Sequence, residues 1–252
     1  MTAAQPPGVV LISGASRGIG AAVALRAARA GYSVIVNYSA DRQGAASVLQ
    51  RISAAGGTAR AVQGDVADAA DCDALVAAAA ELGELTALVN NAAITGNSPG
   101  NLVDVPESVL RRTLDVNLLG TLLLSQAVLR HWQPHPGPPR AIVNISSTAT
   151  KAGSPGEWVH YAASKGAIDV LTRGLAAETA GLGIRVNAVA PGLTETGLHQ
   201  AAGMPDRVSR LSGTIPMGRA AEPAEVAEAV LWLLSPEASY ITGAVLPVSG
   251  GR

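Results

Sequence analysis

A phenol and an ammonium stand four residues apart in Tyr161-Ala162-Ala163-Ser164-Lys165. On a helix that offset puts both side chains on one face. A free phenol has a pKa of about 10, poorly matched to neutral pH. A nearby ammonium stabilises the phenolate and brings the group toward a working range for acid/base chemistry. Fourteen residues before the tyrosine, an apolar run ends in Ser146-Ser147. Either hydroxyl can hydrogen-bond an oxygen on which charge develops, or bond its own backbone at the start of a loop. Asn117 is an amide within the apolar stretch Asp115-Val116-Asn117-Leu118. It serves the site directly or ties a helix to a neighbouring loop.

A second chemistry is written near the N-terminus. The run 9–13 leads straight into Ser13-Gly14-Ala15-Ser16-Arg17-Gly18-Ile19-Gly20, and a helical pattern follows. The spacing Gly-x3-Gly-x-Gly suits a pyrophosphate cradle. Gly14 permits the sharp turn, Gly18 lets backbone approach phosphate, and Gly20 lets the helix pack on the sheet. The strand before and helix after argue against a plain glycine-rich turn. The next strand ends Val36-Asn37-Tyr38-Ser39-Ala40-Asp41-Arg42. An acidic residue at that end would bind the ribose 2′-OH of NAD and repel a 2′-phosphate. Asn37 is neutral, Ser39 is a donor, and Arg17 and Arg42 reach the same corner, which favours NADP(H) with NAD(H) as the alternative. Asp41 counts against this, and Arg42 reads equally as a solvated charge.

These residues need a frame. Apolar runs at 9–13, 33–37, 59–63, 85–90, 141–145, 184–190 and 244–248 lack alternation, the pattern of strands buried on both faces. Between them lie helical patterns at 18–30, 42–55, 68–82, 107–132, 158–181 and 223–234. Strand-helix alternation predicts an α/β fold: one doubly wound Rossmann-type domain over 1–252, with about seven parallel strands and helices on both faces. Pro134-His135-Pro136-Gly137-Pro138-Pro139 reads as a rigid turn, not a linker.

In this order the motifs resemble the short-chain dehydrogenase/reductase family over nearly the whole chain. The resemblance rests on the glycine motif, Asn90-Asn91-Ala92-Ala93, Asn117, Ser147, Tyr161-x3-Lys165, Pro191-Gly192 with Thr196, Tyr240-Ile241-Thr242-Gly243 and Gly250-Gly251. It implies that Tyr161 is the general acid in carbonyl reduction and the base in alcohol oxidation. It implies that Lys165 also bonds the nicotinamide ribose, that Ser147 holds the substrate oxygen, and that Asn117 holds a water in a proton relay. Ser147 is preferred over Ser146 because it matches the family's serine. The cofactor would lie on Gly14, Ser16, Arg17, Gly18, Ile19 and Gly20, with Asn37, Tyr38 and Ser39 at its 2′ corner. Asp65-Val66 resembles the pair receiving the adenine. Asn90 and Ala92 resemble the adenosine-side contacts, and Pro191, Gly192, Thr194 and Thr196 the loop holding the nicotinamide amide and phosphates. The sequence departs from the family at Ser13, where Thr is common, at Ala93, where Gly is common, and at Ser249, where Asp often stands.

In this family the segment after Pro191-Gly192 chooses the substrate; here it covers about 193–215. Leu193, Leu198 and Trp158, with Ser147, are the candidate substrate contacts. Apolar residues of the segment equally suit the buried face of a short helix, and Arg207 and Arg210 read as surface charges. His160 is adjacent to the tyrosine but points elsewhere on a helix. No metal site is expected. The implied reaction is hydride transfer between the cofactor and a small ketone or secondary alcohol. Alternatives are a 3-oxoacyl-thioester reductase, a sugar 1-dehydrogenase, and, from another class, a non-catalytic cofactor sensor. The resemblance also implies a homotetramer built on helices 107–132 and 158–181 and on the C-terminal segment.

Composition excludes other classes. With 48% hydrophobic and 15% charged residues the chain is not disordered. A net charge of −1 leaves no basic excess for nucleic acid. The N-terminus lacks a basic region before its short apolar run, so neither a signal peptide nor a membrane span is expected. One cysteine, Cys72, suits a reducing compartment such as the cytoplasm and reads as a buried inert thiol. With no phenylalanine, the core must be built from Ala, Val, Leu and Ile.

Overall fold

Most strands of the sheet are short aliphatic runs, the half-exposed edge strand over 59–63 excepted, and each is paired in parallel with its neighbours. The computed structural model describes residues 8–133 and 137–252. The expectations for residues 1–7, and for 134–136 of the proline-rich turn, lie outside them. The strands are β1 (Val9–Ile12), β2 (Ser33–Tyr38), β3 (Ala59–Gln63), β4 (Leu85–Asn90), β5 (Arg140–Ile145), β6 (Ile184–Pro191) and β7 (Val245–Val248). They form one seven-stranded sheet in the order β3-β2-β1-β4-β5-β6-β7. The principal helices are α1 (Gly18–Arg29), α2 (Arg42–Ala54), α3 (Ala69–Leu82), α4 (Glu107–Leu114), α5 (Gly120–Trp132), a short α6 (Ala149–Ala152), α7 (Val159–Thr179), the short α8 (Leu198–Ala201) and α9 (Arg207–Ser212), and α10 (Pro223–Leu234).

Alternate residues of a strand face opposite sides, and the sheet accordingly has two cores. Val10, Ile12, Val34 and Val36 pack with α1, α2 and α10. Val9, Leu11, Ile35 and Leu88 pack with α3, α5 and α7. The cores are aliphatic as expected, with one large exception. Trp132 is fully buried, donates its indole N–H to Leu85 O (2.7 Å) and lies 5.5 Å from the Arg140 guanidinium. Among the described residues no helix is long and apolar enough to cross a membrane.

Two further features position the site. The winding reverses between β1 and β4, which opens a crevice beyond their carboxyl ends, where such folds bind ligands. A buried polar rung also crosses the sheet. Asn90 and Asn144 are register partners, and Asn90 Nδ2 donates to Asn144 Oδ1 and to Ser125 Oγ, both at 2.9 Å. Asn144 Nδ2 donates in turn to Thr172 Oγ1 on α7 (2.9 Å).

The helix expected at 107–132 is not continuous. A π turn, Asp115–Leu119, separates α4 from α5. The segment 193–215, expected as a binding loop, contains the two short helices α8 and α9.

Candidate active site

The glycine loop is held from below by side chains that leave its upper surface clear. Ser13 Oγ accepts the N–H groups of Asn91 and Ala92, both at 3.0 Å. Asn91 Nδ2 donates to Ser13 O and Gly14 O, both at 2.9 Å. Gly14 has φ +61°, and a β-carbon there would lie 2.8 Å from Ala92 Cα. At Gly20 a β-carbon would strike Gly14 O at 2.5 Å, so this glycine is what seats α1 on the loop. No side chain caps α1, and its first turn holds no acid. By contrast α2 and α3 are capped by Asp41 and Asp68. An uncapped terminus with a positive dipole end and bare backbone fits a pyrophosphate. Gly18, at φ +57°, faces Thr196, whose Cγ2 would be 3.4 Å from an added β-carbon. Thr196 thus stands across the loop, as the resemblance implies.

At the 2′ corner the arrangement differs from the expectation for Asn37. Its side chain is buried and turned inward: Oδ1 accepts from Gly14 N–H (3.1 Å), and Nδ2 donates to Gly64 O (2.9 Å) and Val62 O (3.4 Å). Asn37 therefore braces the glycine loop against β3 and has no group left for the ribose. Tyr38 is also buried, while Ser39, Arg17 and Arg42 are exposed. Asp41 accepts from Gly44 N–H (2.9 Å) as the α2 cap. A cleft of about 850 Å³ opens here, lined in part by Ser16, Arg17, Gly44, Ser47 and Arg51.

Asp65 accepts from Ala67 N–H (3.1 Å) and pairs with Arg112 (2.5 Å). Val66 beside it is buried against Gly120. Asn90, expected on the adenosine side, is turned into the rung described above; its Oδ1 is buried with no hydrogen-bond partner among the described residues. Cys72 is buried with Sγ 3.3 Å from Val66 O, and burial together with four nearby aspartates pushes its thiol up to about 12. It is inert, as expected. Pro191 O accepts from Thr148 N–H (3.0 Å), Gly192 passes against Ser249 where a side chain would not fit, and Thr194 Oγ1 donates to Gly192 O (3.1 Å).

The proton-handling groups meet where β5 ends and α7 begins. Ser147 lies close enough to Tyr161 to draw its phenol's pKa down. Its Oγ also accepts from Ala149 N–H (3.1 Å). Ser146 is turned the other way and donates to Asp169 Oδ1 (2.5 Å), which separates the two serines. Burial raises the Tyr161 pKa, and the Ser147 hydrogen bond and the Arg207 charge act in the opposite direction. Lys165 is buried, and its Nζ donates to Ile145 O (2.7 Å), 5.9 Å from the Tyr161 ring centre. Burial lowers it to about 8, against the pull of Asp169. Tyr161 and Lys165 are thus brought together on α7, as their four-residue spacing predicts, with the ammonium held on the Ile145 carbonyl.

Asn117 sits in the π turn and is fully buried. It accepts from Ile94 N–H (2.8 Å) and donates to Ile94 O (2.9 Å) and Ser164 Oγ (3.0 Å). Its side chain is thus a tie from helix to loop. His160 turns away, with Nε2 2.7 Å from Thr95 O.

The substrate segment is held together by residues expected to touch substrate. Leu193 is buried against Ile215 and Ala220. Trp158 is not on the helix with Tyr161 but caps it, with extended φ −142°, and is buried beneath the Arg207 guanidinium at 5.0 Å. Arg207, expected at the surface, has a side chain only 15% exposed and binds Glu157 through Nη2 (2.8 Å) and Nε (3.1 Å). Leu198 opens α8 and is half-buried. Ser164, Glu157 and Asp169 are the site's unforeseen supports. Only Asp169 had a signal, its four-residue offset from Lys165.

Residues 14–252 match a family described as Enoyl-(Acyl carrier protein) reductase. The chain is 44% identical over 246 residues to the Escherichia coli protein named Uncharacterized oxidoreductase YgfF, covering 97% of this chain and 99% of that one. It superposes on a Burkholderia cenocepacia short-chain dehydrogenase solved in complex with NADP (TM-score 0.88, 33% identity, 97% of each chain). It also superposes on a Brucella melitensis 3-ketoacyl-(acyl-carrier-protein) reductase complexed with NADH (TM-score 0.89, 37% identity, 97% of this chain and 98% of that one). With the parallel sheet, the uncapped glycine-loop helix and the serine–tyrosine–lysine cluster, these matches show that the chain belongs to the short-chain dehydrogenase/reductase family and is an oxidoreductase of the CH–OH/C=O class using a nicotinamide cofactor.

Proposed function

We propose that this protein is an NADP(H)-preferring ketone reductase, running in reverse on the matching secondary alcohol, with Tyr161 as the proton donor and acceptor. The observation that carries the reading is the grouping of Tyr161 with Lys165, whose Nζ lies 5.9 Å from its ring centre, at the end of β5 where Ser146 is turned away to Asp169 and Ser147 bears on the phenol. Two hydroxyls then converge on one point where a carbonyl oxygen can sit. Ser147 donates to that oxygen and stabilises its growing charge. Tyr161 delivers its proton to the same oxygen, and Lys165 beneath it bonds the nicotinamide ribose in place of Ile145 O. The glycine loop Gly14–Gly20 with Ser16, Arg17 and Ile19, the Asp65-Val66 pair, Ala92 and the 191–196 segment would hold the cofactor, which supplies the hydride when bound. Asn117 acts by position, through Ile94 and Ser164.

The preference for NADP(H) rests on Arg17 and Arg51 in the cleft beside the 2′ corner, which Glu195 and Glu222 also line, and on the neutral Asn37 in place of an acid near the end of β2. A planar guanidinium suits phosphate oxygens. We place the protein in the cytoplasm on its single buried thiol, and assign it a homotetramer on the apolar faces of α5, α7 and α10.

The test is turnover of NADPH and NADH with ketones, 3-oxoacyl thioesters and sugar lactones, and of NADP and NAD with secondary alcohols and sugars. Tyr161→Phe keeps the ring, so NADPH binding persists while turnover falls by about 10²–10⁴-fold. Loss of less than about tenfold would remove Tyr161 from the proton transfer by the same measure. Binding of cofactor without turnover of any compound would leave a sensor.

A further inference from the structure

Three consecutive residues at the end of β5 are each tied to α7. Asn144 Nδ2 donates to Thr172 Oγ1 (2.9 Å), the Ile145 carbonyl accepts from Lys165 Nζ (2.7 Å), and Ser146 Oγ donates to Asp169 Oδ1 (2.5 Å). Lys165, Asp169 and Thr172 are spaced by four and three, so they share one stripe of the helix. As the strand advances from Asn144 to Ser146, its side-chain partner on α7 steps back one turn, from Thr172 to Asp169. The next residue of the strand is Ser147, and further back on the same stripe stand Lys165 and Tyr161. The two hydroxyls of the site thus continue a zipper whose last side-chain pair is Ser146 with Asp169.

These ties differ in what they can hold. The sheet grips Ser147 from both sides, through Ser146 N–H to Val189 O (2.8 Å) and Thr148 N–H to Pro191 O (3.0 Å), but neither bond reaches the helix that carries Tyr161. Asn144 lies deeper, in the rung to Asn90. Lys165 gives up Ile145 O when it bonds the nicotinamide ribose. Among the described residues, Ser146 with Asp169 is then the side-chain tie between strand and helix next to Ser147. Ser146 is only 2% exposed, and a hydroxyl on a carboxylate at this distance belongs to the strong, charge-assisted class of hydrogen bond.

We propose, on the roles given above to Ser147, Tyr161 and Lys165, that Asp169 is a positioning residue: through Ser146 it holds the end of β5 on α7 and keeps Ser147 and Tyr161 aimed at one carbonyl oxygen while Lys165 serves the cofactor. Neither Asp169 nor Ser146 touches the substrate, and both act through their neighbours.

The test is a double-mutant cycle on the full-length enzyme, with NADPH and the best ketone of the panel above. Ser146→Ala and Asp169→Ala each remove the same bond. Each should lower kcat by about 10–100-fold, the scale of a small misplacement of reacting groups. The double variant should fall no further than either single one. The loss should appear equally in kcat and kcat/KM, with Kd for NADPH unchanged, because the alignment counts in the transition state. Asp169→Asn keeps an acceptor for Ser146 Oγ and should recover most of the loss. Rates are taken per folded enzyme, checked by circular dichroism, so a contact that serves stability alone would leave kcat where it was. Wild-type kcat in Ser146→Ala, or additive losses in the double variant, overturns the positioning role. So does a fall in Asp169→Asn as deep as in Asp169→Ala, which would put the effect in the carboxylate's charge and not in the tie. Should Asp169→Ala fail to fold, Ser146→Ala against Asp169→Asn decides on the same terms. Full activity in Tyr161→Phe would overturn the proton-transfer reading instead, and the two failures are distinct.

Discussion

Asn37 shows how one amide can serve the cofactor corner without touching a cofactor. Its carbonyl holds Gly14 N–H, and its amino group holds one carbonyl in β3 and one just after it. Asn37→Asp would set a carboxylate against Gly64 O and Val62 O in a buried site. The variant should lose about 2 kcal/mol or more of stability, read by urea unfolding, because unpaired buried polar groups cost that much. Arg17→Ala should leave stability alone and weaken NADPH more than NADH, read as Kd for each; equal weakening would remove Arg17 from phosphate selection. Lys165 gives a pH signature. Its pKa in the fold is about 8 against 10.5 for an ordinary lysine, so the folded chain holds its proton less tightly than the unfolded one. The burden of the buried ammonium is therefore full below pH 8 and fades as pH rises toward 10.5. Relative to Lys165→Met, wild type should be less stable by about 3 kcal/mol below that window, the gap closing through it. Tyr161, Lys165 and Ser147 were legible in the sequence because helix geometry and a strand end fix their offsets. The partners of Asn37, Asn90 and Arg207 were not, since each comes from an element distant along the chain.

Strands and long helices were legible to within a residue or two, because buried parallel strands are unbroken aliphatic runs and the helices between them carry one apolar face. The π turn at Asp115–Leu119 was not. Apolar residues continue through it, so the helical pattern hides the extra residue. Only the bonds from Asn117 to the Ile94 backbone show why it is there. Such turns recur at functional sites. Asn117→Ala would strip partners from Ile94 N–H and Ile94 O and from Ser164, and we expect a loss of about 2–3 kcal/mol by urea unfolding. Turnover should fall as well, since Ser164 donates to Tyr161 O (2.7 Å) and passes the slack to the catalytic helix. An Asn117→Ala protein with wild-type stability would show that this tie does not hold the turn. For the segment of α8 and α9 the sequence left a binding loop and a short helix equally open, because four and six residues are too few to establish a period.

On the scale of the molecule, several apolar side chains have no cover within one chain. Leu119 and Leu122 flank the start of α5, Val170 is 63% exposed on α7, and Trp232 is 43% exposed on α10. Gly166 and Gly174 lie one turn to either side of Val170, with open space above them, so another backbone can approach closely. Val170→Glu should place a charge in that contact, and sedimentation should show a smaller species than wild type at micromolar concentration. An unchanged species would take α7 out of the interface. The rung between Asn90 and Asn144 has a consequence for how the molecule reaches this shape. If β4 slid by one residue along β5, Asn90 would face Val143 or Ile145, and both amides would be stranded among branched aliphatics. Each stranded group costs about 1–3 kcal/mol, whereas the Val and Ile positions around them would tolerate many pairings. The rung therefore acts as a proofreading mark during folding. It disfavours misaligned sheets, and it fixes the register in which β4 and β5 run out toward the crevice.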